Sequence, residues 1–141
     1  MIRCRTVSAR PARACRAESP ARYECFHMGV ASPVRLKPYQ QQALATPDNS
    51  VFVSSVTVWE IAIKLAIGRL VFPIDQFDDV ARRMGFDILP ILPAHAIAAG
   101  ALPRHHGDPF DRMLIAQAME ETLALVSNEQ IFDTFAVARL W

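Results

Sequence analysis

Along the second two-thirds of the chain, short apolar runs alternate with stretches of helical period, separated by turn residues. A candidate helix from Pro38 to Ala45 is followed by a turn at Pro47-Asp48-Asn49-Ser50. Val51-Phe52-Val53-Ser54 then reads as a short buried strand. From Thr57 to Ile67 apolar residues recur at helical spacing, and Gly68 closes the segment. Thr57 and Glu60 stand at the spacing of a capping box, which places the start of this helix at Thr57. Pro73 to Met84 reads as a second helix ending at Gly85, Asp87 to Ile91 as a strand, and Pro93 to Ala101 as a short Ala-rich helix. Asp108 to Glu121 has a sharp beginning, with Asp108 as N-cap and Pro109 at the first helical position. Leu123 to Ser127 is another buried strand, a helical turn follows near Glu129 to Phe132, and Val137 to Trp141 reads as a last edge strand. Strands that are apolar on both faces and alternate with helices predict an α/β fold, a parallel sheet covered by helices.

Composition changes the picture at the N-terminal end. The chain has 141 residues, 52% of them hydrophobic, which suits one domain with a real core. Residues 1–33 show neither period; they hold Pro11, Pro20, Pro33 and six arginines, and read as an irregular, poorly ordered basic segment. The folded domain is therefore placed at residues 34–141. Residues 1–50 carry 8 Lys/Arg against 3 Asp/Glu, whereas residues 51–141 carry 7 against 11. The basic arm of residues 1–37 is a candidate RNA-binding tail. Cys4, Cys15 and Cys25, an odd number without framework spacing, argue against a disulfide scaffold. The N-terminus lacks the apolar run of a secretory signal and no apolar stretch is long enough for a membrane span, so a cytoplasmic location is expected.

The acids of the compact part need a reason. Each has a bland one. Glu60 can close the capping box and pair with Lys64 one turn on. Asp108 can cap its helix, and Glu129 can be a solvated acid at a helix start. Asp111 is harder to dismiss, because the cap position is already taken. Active sites of parallel sheets lie beyond the carboxyl ends of the strands. Ser54, Ser127 and Glu129 fall at or past such ends, and Glu60 lies one turn into the next helix. Glu60, Asp108, Asp111 and Glu129, with Ser127 beside the last, would together suit a hard divalent cation, Mg²⁺ or Mn²⁺. Such a cluster repels itself without the metal; with it, a water can be activated against a phosphodiester. His105 and His106 with Asp108 form a weaker zinc candidate, outweighed by the reading as loop residues. His95 reads as a surface or satisfied core histidine. Arg104, Arg112 and Lys64 can meet phosphate or simply be solvated. Trp59, Phe77, Phe110, Phe132 and Phe135 read as core rather than as a base-stacking platform.

Several of these strings resemble one family. Val53-Ser54 through Trp59-Glu60-Ile61-Ala62-Ile63-Lys64, Gly68-Arg69-Leu70, Leu89-Pro90-Ile91, the string from Asp108 to Ala118, and Leu125 to Glu129 are similar to PIN-domain proteins, in particular the VapC-type toxin branch of bacterial toxin–antitoxin pairs. The resemblance spans about residues 34–141. It implies a three-layer α/β/α domain with a mostly parallel sheet. It implies a Mg²⁺- or Mn²⁺-dependent ribonuclease acting on RNA, a cognate VapB-like antitoxin whose tail covers the site, and a homodimer. Glu60 matches the family's helix glutamate and Asp111 its third acid. Asp108 matches an extra acid of this branch, Glu129 stands where an aspartate is usual, and Ser127 where a Thr or Ser supports it. The family's opening strand, apolar and ending in Asp-Thr-His, has no counterpart, so the first strand is expected to be absent or replaced. The usual interval back from Glu60 lands near Arg22 to Glu24, and Glu24 is the acid there. That departure motivates a second reading, a catalytically inactive PIN-like remnant that binds the antitoxin or self-associates.

Overall fold

A computed structural model describes residues 22–24, 38–104, 106–127 and 129–140. In chain order these form strand β1 (Arg22–Glu24), helix α1 (Pro38–Ala45), strand β2 (Ser50–Ser54) and helix α2 (Ser55–Ala66). A 3-10 turn (Ile74–Gln76) then runs into helix α3 (Phe77–Arg83), followed by strand β3 (Phe86–Leu89), helices α4 (Pro93–Ala101) and α5 (Pro109–Glu120), strand β4 (Ala124–Leu125) and a 3-10 helix (Gln130–Thr134). The strands form one parallel sheet in the order β3-β2-β1-β4. The C-terminal segment joins β4 through a single parallel bridge, Leu125 to Arg139, rather than the full edge strand read from Val137 to Trp141. Trp141, His105, the three cysteines and the remainder of the segment 1–33 lie outside the described residues.

The structure departs from the sequence reading at Arg22–Glu24. These residues, read as part of an irregular segment, form a central strand. Arg22 is in register with Ser50, Tyr23 with Ala124 and Glu24 with Leu125. The physical reason is that β2 and β4 each turn a row of backbone N–H and C=O groups toward the gap between them. A three-residue insert pairs with both rows, whatever its side chains. The opening strand is thus replaced, not absent, and Glu24 stands at its carboxyl end.

Residues alternating along the strands go to opposite faces. Val51 and Val53 of β2, Phe86 of β3 and Val126 pack with Phe77 and Ala81 of α3 on one side. Leu89 and Leu125 pack with Leu114, Ile115 and Ala118 of α5, with Leu102 and with Phe132 on the other, where Phe52 joins them. Helix α2 contributes Val56 to the second cluster and Ile61 to the first, so it bridges the two cores. The result is a sheet between two helical layers, the three-layer α/β/α arrangement expected from the sequence.

Two helix ends explain where the chain turns. Helix α2 starts at Ser55 rather than Thr57, because Ser54 is the N-cap: its Oγ accepts from the Val56 N–H at 3.0 Å. The capping box read at Thr57 and Glu60 therefore does not form, and both residues sit inside the helix. At the other end Gly68 takes φ +67°, with its N–H on the Leu65 carbonyl and the Arg69 N–H on the Lys64 carbonyl, a Schellman ending. Helix α5 ends the same way, with Leu123 N–H on the Ala118 carbonyl, but the left-handed position is held by Thr122 at φ 54°.

Candidate functional site

The site is organised by the packing of α2 against α5. At one end the Ser54 hydroxyl donates to Gln117 Oε1 at 2.6 Å. At the other, the rings of Trp59 and Phe110 meet edge to face with centroids 5.0 Å apart. Moving forward from Ser54 to Trp59 thus moves backward from Gln117 to Phe110. The helices run antiparallel, and Glu60 comes level with the start of α5, where Asp111 sits.

Both carboxylates are buried: Glu60 is 8% exposed and Asp111 0%. A buried carboxylate demands compensating partners, and each has one. Lys64 Nζ donates to Glu60 Oε1 at 2.7 Å, the pair expected from their spacing. His106 Nε2 donates to Asp111 Oδ2 at 2.6 Å. His106 therefore serves Asp111, not a zinc site with Asp108. Asp108 is the N-cap of α5, its Oδ1 accepting from the N–H groups of Phe110 at 2.9 Å and Asp111 at 3.3 Å. Ser127 is fully buried beyond β4, and its Oγ accepts from the Glu129 N–H at 3.1 Å. Glu129 is half-buried at the N-cap of the 3-10 helix. Arg139 ties this loop down: it donates to the Ser127 carbonyl at 2.9 Å and forms a two-pronged pair with Asp133, both contacts 2.6 Å. The hydrogen bond from Arg139 holds the Asp133 carboxyl below its ordinary pKa, opposed by desolvation and assisted last by the Arg139 charge; the Asp133 carboxylate in turn raises the pKa of Arg139.

Among the described residues no group of three or more His, Cys, Asp or Glu side chains is placed to hold a metal ion. A hard ion such as Mg²⁺ is commonly held by only one or two carboxylates, its other positions filled by water and substrate phosphate. The donor chemistry of Glu60 and Asp111 suits such an ion. So does a third observation: the Thr57 hydroxyl, on the same face of α2 as Glu60, is buried without a hydrogen-bond partner.

Other residues take roles the sequence did not disclose. Gln117, fully buried, joins Ser54 to the Pro90 carbonyl at 3.1 Å and so fastens α5 to the carboxyl ends of β2 and β3. Arg112 does not face open solvent. Its guanidinium donates to the carbonyls of Ala99, Leu102, Pro103 and His106 at 2.7–3.1 Å, closing the C-terminal end of α4. An arginine four residues after an N-cap gives no warning of this, since its acceptors belong to the end of α4 and the loop after it. His95 is a satisfied core histidine, 1% exposed: Nδ1 accepts from the Leu92 N–H and Nε2 donates to Glu121. Phe77 and Phe132 are core as read, but Trp59 is 52% exposed and forms, with Ile63 and Ile67, an apolar stripe on the outer face of α2.

The chain belongs to the PIN domain family, which matches residues 35–138. PIN domains are generally nuclease folds and typically use divalent metals. None of the curated proteins matches the chain. No helix among the described residues is long and apolar enough to cross a membrane.

Proposed function

We propose that the protein is a divalent-metal-dependent ribonuclease, the toxin of a toxin–antitoxin pair of the VapC type. The observation that carries this reading is the burial of two carboxylates, Glu60 and Asp111, on α2 and α5, helices that pack against each other. Acids are costly to bury, and α2 and α5 each bury one. In this reading Glu60 and Asp111 hold Mg²⁺ or Mn²⁺, with Asp108 and Glu129 as further acids toward the same ion and Ser127 fixing the loop that presents Glu129. When bound, the ion supplies an activated water and stabilises charge on the phosphodiester. The chain's own side chains bind and orient: Lys64 and His106 balance the two carboxylates, and Ser127 with Arg139 steadies the loop. Purified protein with Mn²⁺ should cleave structured RNA. Asp111→Asn, which keeps the shape and removes the charge, should abolish cleavage; an equally active variant rejects the assignment.

A second reading is favoured by a specific observation. Glu60 and Asp111 already have protein partners in Lys64 and His106, and an Arg-Tyr-Glu strand stands where the family has its apolar strand ending in aspartate. On this reading the chain is an inactive PIN domain that still binds an antitoxin or a second copy of itself. Calorimetric titration with Mn²⁺ separates the two, since the inactive domain should take up no metal at millimolar concentration.

A further inference from the structure

Thr57 lies one turn before Glu60 and two turns before Lys64, so the three side chains recur along one face of α2. It is 7% exposed, and its hydroxyl has neither a protein acceptor nor a protein donor. Inside a helix such a hydroxyl ordinarily bonds back to the carbonyl one turn earlier; here it does not. A polar atom taken out of water without compensation is a standing cost to the fold. Valine has the same shape and would fill the place without that cost. The hydroxyl is therefore best explained by something that completes it.

We propose that Thr57 is a positioning residue of the Glu60 site. Its hydroxyl hydrogen-bonds a water molecule that accompanies a hydrated divalent cation held at Glu60. This rests on the metal-dependent reading above and adds a residue to it. Small divalent ions shed their waters reluctantly, so a buried site for one must offer hydrogen-bond partners to the waters as well as ligands to the ion. Glu60 and Lys64 answer each other's charge on this face, but neither satisfies the hydroxyl. Groups that hold the partners of a metal's ligands rather than the metal itself are typically worth about ten- to a hundredfold in affinity.

The experiment is calorimetric titration of Mn²⁺ into the wild-type chain and into Thr57→Val, Thr57→Ser and Glu60→Gln, with the melting temperature of each metal-free protein measured alongside. Without metal, Thr57→Val should melt at or above the wild-type temperature, because only an unpaired hydroxyl is lost. Its Mn²⁺ affinity should fall about tenfold, and Thr57→Ser, which restores the hydroxyl, should recover most of it. If Thr57→Val binds Mn²⁺ as the wild type does while Glu60→Gln does not, the inference about Thr57 fails and the Glu60 site stands. If metal-free Thr57→Val melts lower and Thr57→Ser does not restore binding, the hydroxyl is structural and the inference also fails. If the wild type takes up no Mn²⁺, or Glu60→Gln takes it up equally, the inference about Thr57 and the metal-dependent reading on which it rests both fall.

Discussion

Thr122 is the residue whose conformation is hardest to justify locally. It occupies the left-handed position after α5 at φ 54°, a place that costs a side-chain-bearing residue roughly 1–2 kcal/mol and a β-branched one at least as much. Gly68 and Gly85 hold the corresponding positions after α2 and α3. Thr122→Gly relieves the strain but loosens the unfolded chain, so a net gain of about 1 kcal/mol in denaturant unfolding is expected; a loss would show that the threonine side chain earns its place through contacts. Asp133 makes a different residue-scale prediction. Its pKa is lowered on folding by the Arg139 hydrogen bond, from an ordinary value of 3.8. A group depressed on folding stabilises above its unfolded pKa, and that contribution disappears as pH falls through the folded value. The Asp133 side chain is 53% exposed, so solvent and salt keep the effect small. The melting-temperature difference between wild type and Asp133→Asn should therefore be present at pH 7 and close progressively below about pH 4. A difference that persists at pH 2 would mean that the amide disturbs packing instead. Of Glu60, Asp108, Asp111 and Glu129, only Asp111 lacked a bland explanation in the sequence; the other three stood out only as a set. The partners of Glu60 and Asp111 were legible only in part. Lys64 follows from helix spacing, whereas His106 reaches Asp111 through a loop whose path no periodicity reveals.

At the scale of elements, the helices were the readable part. Five of the expected helices appear, and α1 and α4 match to the residue, because each begins at a proline and another proline follows within two residues of its end. Helix α2 starts two residues before Thr57 because Ser54 takes the cap. Ser54 won over Thr57 since its hydroxyl also reaches Gln117, a contact across the fold that no local pattern contains. Gln117 was invisible for the same reason: a lone glutamine on an apolar helix looks like a surface residue, yet it is fully buried between Ser54 and the Pro90 carbonyl. Gln117→Leu should destabilise the fold by about 1–3 kcal/mol, because it leaves a hydroxyl and a carbonyl unsatisfied rather than removing a balanced set. Denaturant titration measures this, and a neutral result would show that the network is dispensable. Arg112 is the matching case between α4 and α5. Lysine keeps its charge but cannot fork among four carbonyls, so Arg112→Lys should cost about 1.5–3 kcal/mol rather than behave as a conservative change.

For the whole molecule the decisive element is the shortest one that the sequence left unread. Three residues cannot display a period, and Arg-Tyr-Glu lacks the apolar run that marks a strand buried on both faces. What makes it a strand is the sheet around it. Without β1, β2 and β4 would face each other across a gap, each with backbone groups unpaired in the interior, and the two apolar clusters would be open between them. The backbone of β1 completes the sheet, so a substitution that removes a backbone N–H from it should be costly. Tyr23→Pro removes the backbone N–H in the middle of a central strand, a position that proline does not tolerate. Stability should fall by about 3 kcal/mol or more, seen as a lower denaturant midpoint and as loss of amide protection in β2 and β4. Tyr23→Val, which keeps the N–H and favours the strand, should lower the midpoint less than Tyr23→Pro. If proline is tolerated as well as valine, Arg22–Glu24 is not a structural strand. The domain would then be a sheet interrupted at its centre.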